Sequence, residues 1–215
     1  MAVPGRSTLR NLFDDSPTPH IAHPPRTHRR QFYVATDGSY RSDGGGLGAV
    51  IEARDGRRVA RVAVPDAAPD NNVAEYRALH LGLDVLAARA PASSRVGVLV
   101  DLDDLAANVN RAALADDATD WAPGGEIAVP TGSEHHWRGI RARIAGFGEV
   151  RAATVDGREN PAHPLANAPA EFAHVNRKPA RCVRPHASDG PLDRPAEGDE
   201  REVPPPSRAE RRAGD

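Results

Sequence analysis

Three short runs rich in apolar and β-branched residues open the patterned part of the chain. Glycine-containing turns at residues 44–46 and 55–56 separate them, and turns of this kind typically join neighbouring antiparallel strands. The pattern therefore predicts an antiparallel meander. Its three strands are predicted over residues 31–37, 47–53 and 58–64.

Helical and strand-like patterns alternate after the meander. Apolar residues between 76 and 86 recur at helical spacing, which predicts a long helix over residues 73–90. The short apolar run at 95–101 is typical of a buried parallel strand. The remaining predicted elements are helices over 103–114 and 134–147, a strand over 150–155 and a short, proline-interrupted helix over 164–173. The series predicts an α/β fold, a mixed five-stranded sheet of three antiparallel strands and then parallel strands, with helices on both faces.

The two ends of the chain differ in composition from its middle. Residues 1–30 are rich in Pro, His, Arg and Ser, and residues 176–215 are charged and rich in Pro. Neither end has a clear helical or alternating pattern, so both are predicted to be disordered tails. The folded domain is predicted to cover residues 31–175, with an acidic loop at 115–133 inside it.

Bulk composition limits the possible functions. The formal net charge is −2, so any contact with nucleic acid must come from a local patch rather than from an overall positive field. Cys182 is the only cysteine, which excludes an internal disulfide and a multi-cysteine zinc site. The sequence shows neither the apolar run of a signal peptide nor a stretch of membrane-spanning length. A cytoplasmic protein that does not enter a membrane is therefore predicted.

Three acids stand where separate elements begin or end. Asp37 ends the first predicted strand, Asp101 ends the fourth, and Glu75 lies in the first turn of the long helix. Each has an ordinary structural explanation, as a turn residue or as an acid that complements the helix dipole. If the first and fourth strands are neighbours, however, the acids converge. Convergent carboxylates can hold two divalent cations, which is one way to hydrolyse a phosphodiester.

Longer motifs surround these acids. They read TDGSY at 36–40, GLGAVI at 46–51, NNVAEYRAL at 71–79, VLVD at 98–101 and RENPAHPLAN at 158–167. With these motifs in this order, the chain resembles type 1 ribonuclease H over roughly residues 31–173. The Asn-Asn-x-Ala-Glu-Tyr segment is the most specific element of the resemblance. The resemblance implies a metal-dependent endonuclease that cuts the RNA strand of RNA–DNA hybrids.

The resemblance also implies roles for individual residues. Asp37, Glu75 and Asp101 would form a site for two divalent cations, Mg²⁺ or Mn²⁺, with Asp37 bridging both. Four residues would lie along the minor groove of the hybrid, where contacts to 2′-hydroxyls distinguish RNA from DNA. These are Gly38, Ser39, Asn71 and Asn72. Helix capping is the alternative explanation for the two asparagines. The protein is expected to act as a monomer.

The late motif departs from the family at its acid. The family carries a fourth aspartate two residues before Leu-Ala, and this chain has His163 there, followed by Pro164. Because a residue before proline is disfavoured in a helix, His163 is expected at or just before the helix cap. It would bind the second metal weakly, hold the attacking water or move a proton. The alternative is a surface histidine with no part in catalysis.

At two further positions the sequence leaves alternatives for the role of a residue. The segment Asp101-Leu102-Asp103-Asp104-Leu105 has one more residue than the family motif. Strand continuity favours Asp101 as the third ligand, and Asp103 is the fallback. Arg158 stands directly before Glu159. It is a candidate contact to a phosphate, and a solvated arginine is the alternative.

Two other functions compete with an active hybrid nuclease. One is a degenerate homologue that binds nucleic acid or a protein partner with little or no cleavage, and His163 favours it. The other is a different nuclease or a transposase on the same fold, since a fold does not fix a function. The Asn-Asn-x-Ala-Glu segment argues against this last alternative.

Overall fold

The computed structural model describes residues 7–17, 30–42, 44–115 and 126–172. Five strands form one sheet in the order β3-β2-β1-β4-β5. The first three strands pair antiparallel, and β4 and β5 continue the sheet parallel to β1. The strands are β1 (Phe32–Ser39), β2 (Gly45–Ala53), β3 (Arg58–Asp66), β4 (Arg95–Val100) and β5 (Glu149–Thr154).

Five helices lie among the described residues, and they pack on both faces of the sheet. They are α1 (Leu9–Asp15), α2 (Asn71–Ala87), α3 (Asp103–Ala115), α4 (Glu134–Gly146) and α5 (His163–Asn167). Side chains alternate across a strand, so Val34 packs with the cluster of α2, α3 and α4, while Tyr33 and Ala35 pack with α1 and α5. The predicted fold class, a mixed five-stranded sheet with helices on both faces, is confirmed.

The hairpin between the first two strands is shorter than the sequence suggests. Gly45 and Gly46, predicted as a flexible tip, are paired strand residues opposite Asp66 and Pro65. A Cβ at Gly46 would lie 2.6 Å from the carbonyl oxygen of Ala166. Glycine is therefore needed there because α5 lies directly against the strand, and not because the chain turns.

The beginning of the chain corrects one expectation. Residues 9–15, predicted to belong to a disordered tail, form α1, and Leu9 and Phe13 are each only 1% exposed. The Phe13 ring lies 5.7 Å from the Tyr33 ring, and the Arg30 guanidinium lies 4.6 Å from its centroid. Seven residues are too few for helical periodicity to stand out, and most helical stability in proteins comes from packing. The folded unit thus includes a segment before residue 31.

Several other expectations concern parts of the chain outside the described residues. The predicted C-terminal tail, 176–215, lies there, as do residues 116–125 of the predicted acidic loop. The last helix ends at Asn167 instead of residue 173, with turns at 169–172, since Pro169 cannot continue it. Within the described ranges, no helix combines the length and apolarity needed to cross a membrane.

Candidate metal centre

The topology brings three acidic side chains to one edge of the sheet. β1 and β4 are parallel neighbours whose register pairs Ala35 with Leu99, so Asp37 and Asp101 each follow two residues later. Glu75 is the fifth residue of α2, just past the first turn in which it was predicted, and α2 packs across β1. One carboxylate oxygen from each acid lies within 4.8 Å of the others. The predicted convergence of the three acids is therefore present in the fold.

Burial makes this cluster electrostatically unfavourable without a cation. Asp37 is 2% exposed and Glu75 is 1% exposed. Burial, together with the neighbouring charge of Asp101, raises the pKa of Asp37 to about 7 and the pKa of Glu75 to about 10. Desolvation and like charge both disfavour the ionised forms. A bound cation reverses both effects, so the donor set suits a hard divalent ion.

The hydrogen bonds of Glu75 fit the same conclusion. Its Oε1 accepts the backbone N–H of Gly38 at 3.0 Å. Its Oε2 is buried and has no hydrogen-bond partner among the described residues. A buried carboxylate oxygen without a partner is costly, and this one belongs to the three-acid cluster. Divalent cations bound at Asp37, Glu75 and Asp101 would satisfy it.

Backbone crowding fixes the approach of α2 to β1. A Cβ at Gly38 would overlap the backbone of Ala74 and Glu75. Glycine at this position therefore permits the contact that places the Glu75 carboxylate beside Asp37. The N–H of Gly38 is used in holding Glu75, so this residue positions an acid in addition to lining the site.

His163 stands at the open side of the acid cluster. It is the first residue of α5, one position after the cap residue Ala162, and not at or before the cap as expected. Its Nδ1 lies 3.3 Å from Oδ1 of Asp37, and its side chain is 48% exposed. The Asn167 side-chain nitrogen contacts the ring nitrogens of His163 at 3.1 Å, and Asn167 Oδ1 accepts the Ser39 hydroxyl at 3.0 Å. His163 thus reaches both the acids and solvent.

Seven of the nine predicted site residues line a single cleft, together with Asn167. The seven are Asp37, Gly38, Ser39, Asn71, Glu75, Asp101 and His163. Asn72 and Arg158 are exposed and do not line this cleft. Asp103 is an exposed residue in the first turn of α3 and is not part of the acid cluster. The geometry therefore favours Asp101 over Asp103 as the third acid.

Two asparagines of the late motif make contacts that the sequence did not predict. Asn167 bridges Ser39 and His163, and the buried Asn160 donates to the carbonyl of Thr36 at 2.8 Å, next to Asp37. Both belong to the late motif, but nothing in the motif shows that they reach across to β1. The cap of α2 is the carboxylate of Asp70, which accepts the Val73 N–H at 2.9 Å. Asn71 is therefore left to line the cleft.

The chain is similar to solved structures of known proteins. No protein-family model and no curated protein sequence matches the chain. A ribonuclease H1 isolated from compost by a metagenomic approach is 20% identical, over 67% of this chain and 99% of that one, with a TM-score of 0.50. Its crystal structure in complex with an RNA/DNA hybrid is 19% identical, over 66% and 99%, with the same TM-score.

A third solved structure comes from Mycobacterium tuberculosis. It is an N-terminal ribonuclease H domain fused to maltose-binding protein, 22% identical over 63% of this chain and 95% of that one, with a TM-score of 0.48. At this identity, the likeness to the compost enzyme concerns the fold, and the sheet order and helix placement described above agree with it. The resemblance carried by the motifs is thus supported at the level of structure. The chain has the ribonuclease H fold.

Proposed function

We propose that this protein is a type 1 ribonuclease H, a metal-dependent endonuclease that hydrolyses the RNA strand of RNA–DNA hybrids. The observation that carries the proposal is the meeting of Asp37, Glu75 and Asp101 within 4.8 Å, at the end of two parallel strands. Oε2 of Glu75, which has no hydrogen-bond partner in the described part of the chain, supports it, because a structural acid cluster would have its oxygens satisfied. The proposed cofactors are two divalent cations, Mg²⁺ or Mn²⁺.

Different residues of the chain are proposed to bind the cations, to orient Glu75 and to contact the substrate. Asp37, Glu75 and Asp101 would hold the cations, which supply an activated water and stabilise charge on the leaving oxygen when bound. The Gly38 N–H fixes the orientation of Glu75. Ser39 and Asn71 line the same cleft, and their side chains offer donors and acceptors suited to a ribose 2′-hydroxyl. Discrimination of RNA from DNA is assigned to these two side chains.

His163 is proposed to hold a water in the cleft or to accept a proton from it. Its ring lies between the Asp37 carboxylate and Asn167, which contacts both ring nitrogens. Imidazole is a weak ligand for magnesium but acceptable to manganese. An exposed ring at this point can hold a water or accept a proton from it. This position therefore gives Mn²⁺ an advantage over Mg²⁺ as the supporting ion.

A second candidate function rests on the same residue. His163 occupies the position where the resemblance leads us to expect an acid, so the described residues that line the cleft include three carboxylates and no fourth. A degenerate homologue that binds a hybrid or a protein partner without cutting it would have this feature. The two candidates predict different products from one assay.

The deciding experiment uses the full chain and an RNA–DNA hybrid labelled on each strand. We expect cleavage of the RNA strand alone, stronger in Mn²⁺ than in Mg²⁺, and its loss in Asp37→Asn. Asp103→Asn is the matched control, because it removes an acid that lies outside the cluster, and it should retain activity. Binding without cleavage by the folded parent would establish the degenerate homologue instead.

Two further features of the proposal concern the setting of the protein. We propose that it acts as a monomer on the hybrid. The single cysteine, Cys182, fits a reducing, cytoplasmic compartment. Neither feature bears on the chemistry at the acid cluster.

A further inference from the structure

Histidines gather at a second place, where α2 meets α4. His80 lies in the middle of α2, and His135 and His136 lie in the first turn of α4. The Nδ1 atoms of His80 and His136 are 3.2 Å apart, and their ring centroids are 5.5 Å apart. The site described above uses none of these three histidines.

A close helix crossing brings the two rings together. A Cβ at Gly139 would overlap the imidazole of His80, so glycine at this position leaves room for that ring where α4 crosses α2. His136 lies three residues before Gly139 and shares its helix face. The contact between His80 and His136 is therefore part of the packing of the two helices.

An acid lies on the far side of His80 from His136. Oδ2 of Asp84, one helical turn along α2, lies 3.6 Å from Nε2 of His80. Such a carboxylate favours a proton on Nε2 and leaves the lone pair on Nδ1, the atom that faces His136. The other oxygen of Asp84 accepts a hydrogen bond from Arg143.

Two arginines near His80 and His136 form ion pairs with acids. Arg143 is paired with Asp84, and Arg77 is paired with Asp66 at 2.9 Å. Burial lowers the pKa of His136 to about 4 and also lowers the pKa of His80. Both imidazoles are therefore neutral near pH 7, which is the form that binds metals.

We propose that Nδ1 of His80 and Nδ1 of His136 form a binding site for a transition-metal dication of the zinc class, with water as the remaining ligands. Two nitrogens about 2.0–2.1 Å from one tetrahedral zinc ion lie about 3.3–3.4 Å apart, and the observed separation is 3.2 Å. Imidazole ligands suit Zn²⁺, Ni²⁺ and Cu²⁺ and do not suit Mg²⁺. A cation at this site links α2 to α4 and is independent of the proposed hydrolysis.

The test is a Zn²⁺ titration of the full chain by calorimetry, with Mg²⁺ in excess to occupy the acid cluster. We expect one Zn²⁺ per chain and at least about tenfold weaker binding in His136→Asn, since even the loss of an outer-shell partner costs a metal site that much. The control removes the three histidines that precede residue 30, as His20→Asn, His23→Asn and His28→Asn together, and should bind like the parent. Unchanged affinity in His136→Asn, or loss in the control, would overturn the proposal.

Two further measurements guard against a variant that merely folds poorly. With Mg²⁺ again in excess to occupy the acid cluster, Zn²⁺ should raise the Tm of the parent but not that of His80→Gln, with far-UV circular dichroism showing that the variant is folded. Nitrogen-edited NMR of the parent should show Zn²⁺ shifting Nδ1 of His80 and of His136. Shifts confined to other histidines would refute the site without any mutation.

Discussion

At the scale of single residues, His163 separates the two proposed functions. Its Nδ1 lies 3.3 Å from Asp37 Oδ1, so a side chain at this position reaches the acid cluster. The ring is half-exposed and is contacted by Asn167, which in turn accepts from Ser39. A change at residue 163 therefore alters the chemistry of the site with little effect on packing.

His163→Asp is expected to raise Mg²⁺-supported hybrid cleavage by about tenfold or more, because carboxylate oxygen suits magnesium and ligand changes act on this scale. The measurement is the initial rate of RNA-strand cleavage in Mg²⁺ and in Mn²⁺. His163→Asn is the matched control, since it is similar in size to aspartate but carries no charge. Unchanged or lower activity in His163→Asp would remove residue 163 from the metal site.

At the scale of elements, the contact between β1 and α2 sets the position of Glu75. Gly38 lies against the backbone of Ala74, and its N–H holds the Glu75 carboxylate. An added methyl group cannot be accommodated by rotating a side chain, because the atoms it meets are backbone. Strand and helix must separate instead, and the acid cluster separates with them.

Gly38→Ala is therefore expected to lower the free energy of unfolding by about 1–3 kcal/mol, as overpacking does, and to abolish cleavage. Chemical denaturation and the hybrid assay measure the two effects. Gly146→Ala is the control, since a Cβ there meets nothing within 4 Å and alanine favours a helix by up to about 1 kcal/mol. Equal stability of the two variants would contradict the crowding at Gly38.

The docking of α1 is the second element-scale feature. Leu9 and Phe13 are buried against the sheet, and the Leu9 N–H donates to Glu52 at 2.9 Å. A segment of seven residues cannot be a stable helix by itself. Its structure therefore depends on the apolar contacts that it makes with the sheet.

Phe13→Ala is expected to destabilise the protein by up to about 3 kcal/mol. The loss is limited to this amount because α1 can detach from the sheet instead of leaving a cavity. The midpoint of urea unfolding measures this loss. Asn11→Ala changes an exposed residue of the same helix and should leave the midpoint almost unchanged. A Phe13→Ala variant as stable as the parent would mean that α1 contributes nothing to the fold.

At the scale of the whole molecule, the buried acids connect stability to pH and to metal. The folded-state pKa values of Asp37 and Glu75 are raised, to about 7 and about 10. The folded protein therefore binds more protons than the unfolded chain at intermediate pH, so stability falls as pH rises through this window. Cations that bind only the folded state oppose the loss.

In a chelator, the Tm is expected to fall between pH 5 and pH 9, and Glu75→Gln is expected to reduce the slope and raise the Tm at pH 8. A gain of about 1 kcal/mol corresponds to about 2–4 °C for a chain of this size. Excess Mn²⁺ should raise the Tm of the parent and raise that of Glu75→Gln less. A Tm independent of both pH and Mn²⁺ would show that the cluster is neither strained nor metal-binding.

Most of the fold and part of the site were predictable from the sequence. The strands, the long helices and the three acids are local features, because periodicity and turn residues are read within a few positions. Asn72 and Arg158, which are predicted to contact the hybrid, do not line the cleft, and their contacts with a duplex stay predictions. Sequence position places a residue on an element, but it does not give the direction of its side chain.

Local residue patterns were enough to predict the alternation of strands and helices and to mark the motifs around Asp37, Glu75 and Asp101. The burial of these acids, the docking of α1 and the meeting of His80 with His136, 56 residues apart, depend on the folded molecule. The physical reason is that periodicity is a property of neighbouring residues, whereas burial, pKa and helix crossings depend on contacts between distant segments. A glycine such as Gly139 does not reveal in the sequence which side chain will pack against it.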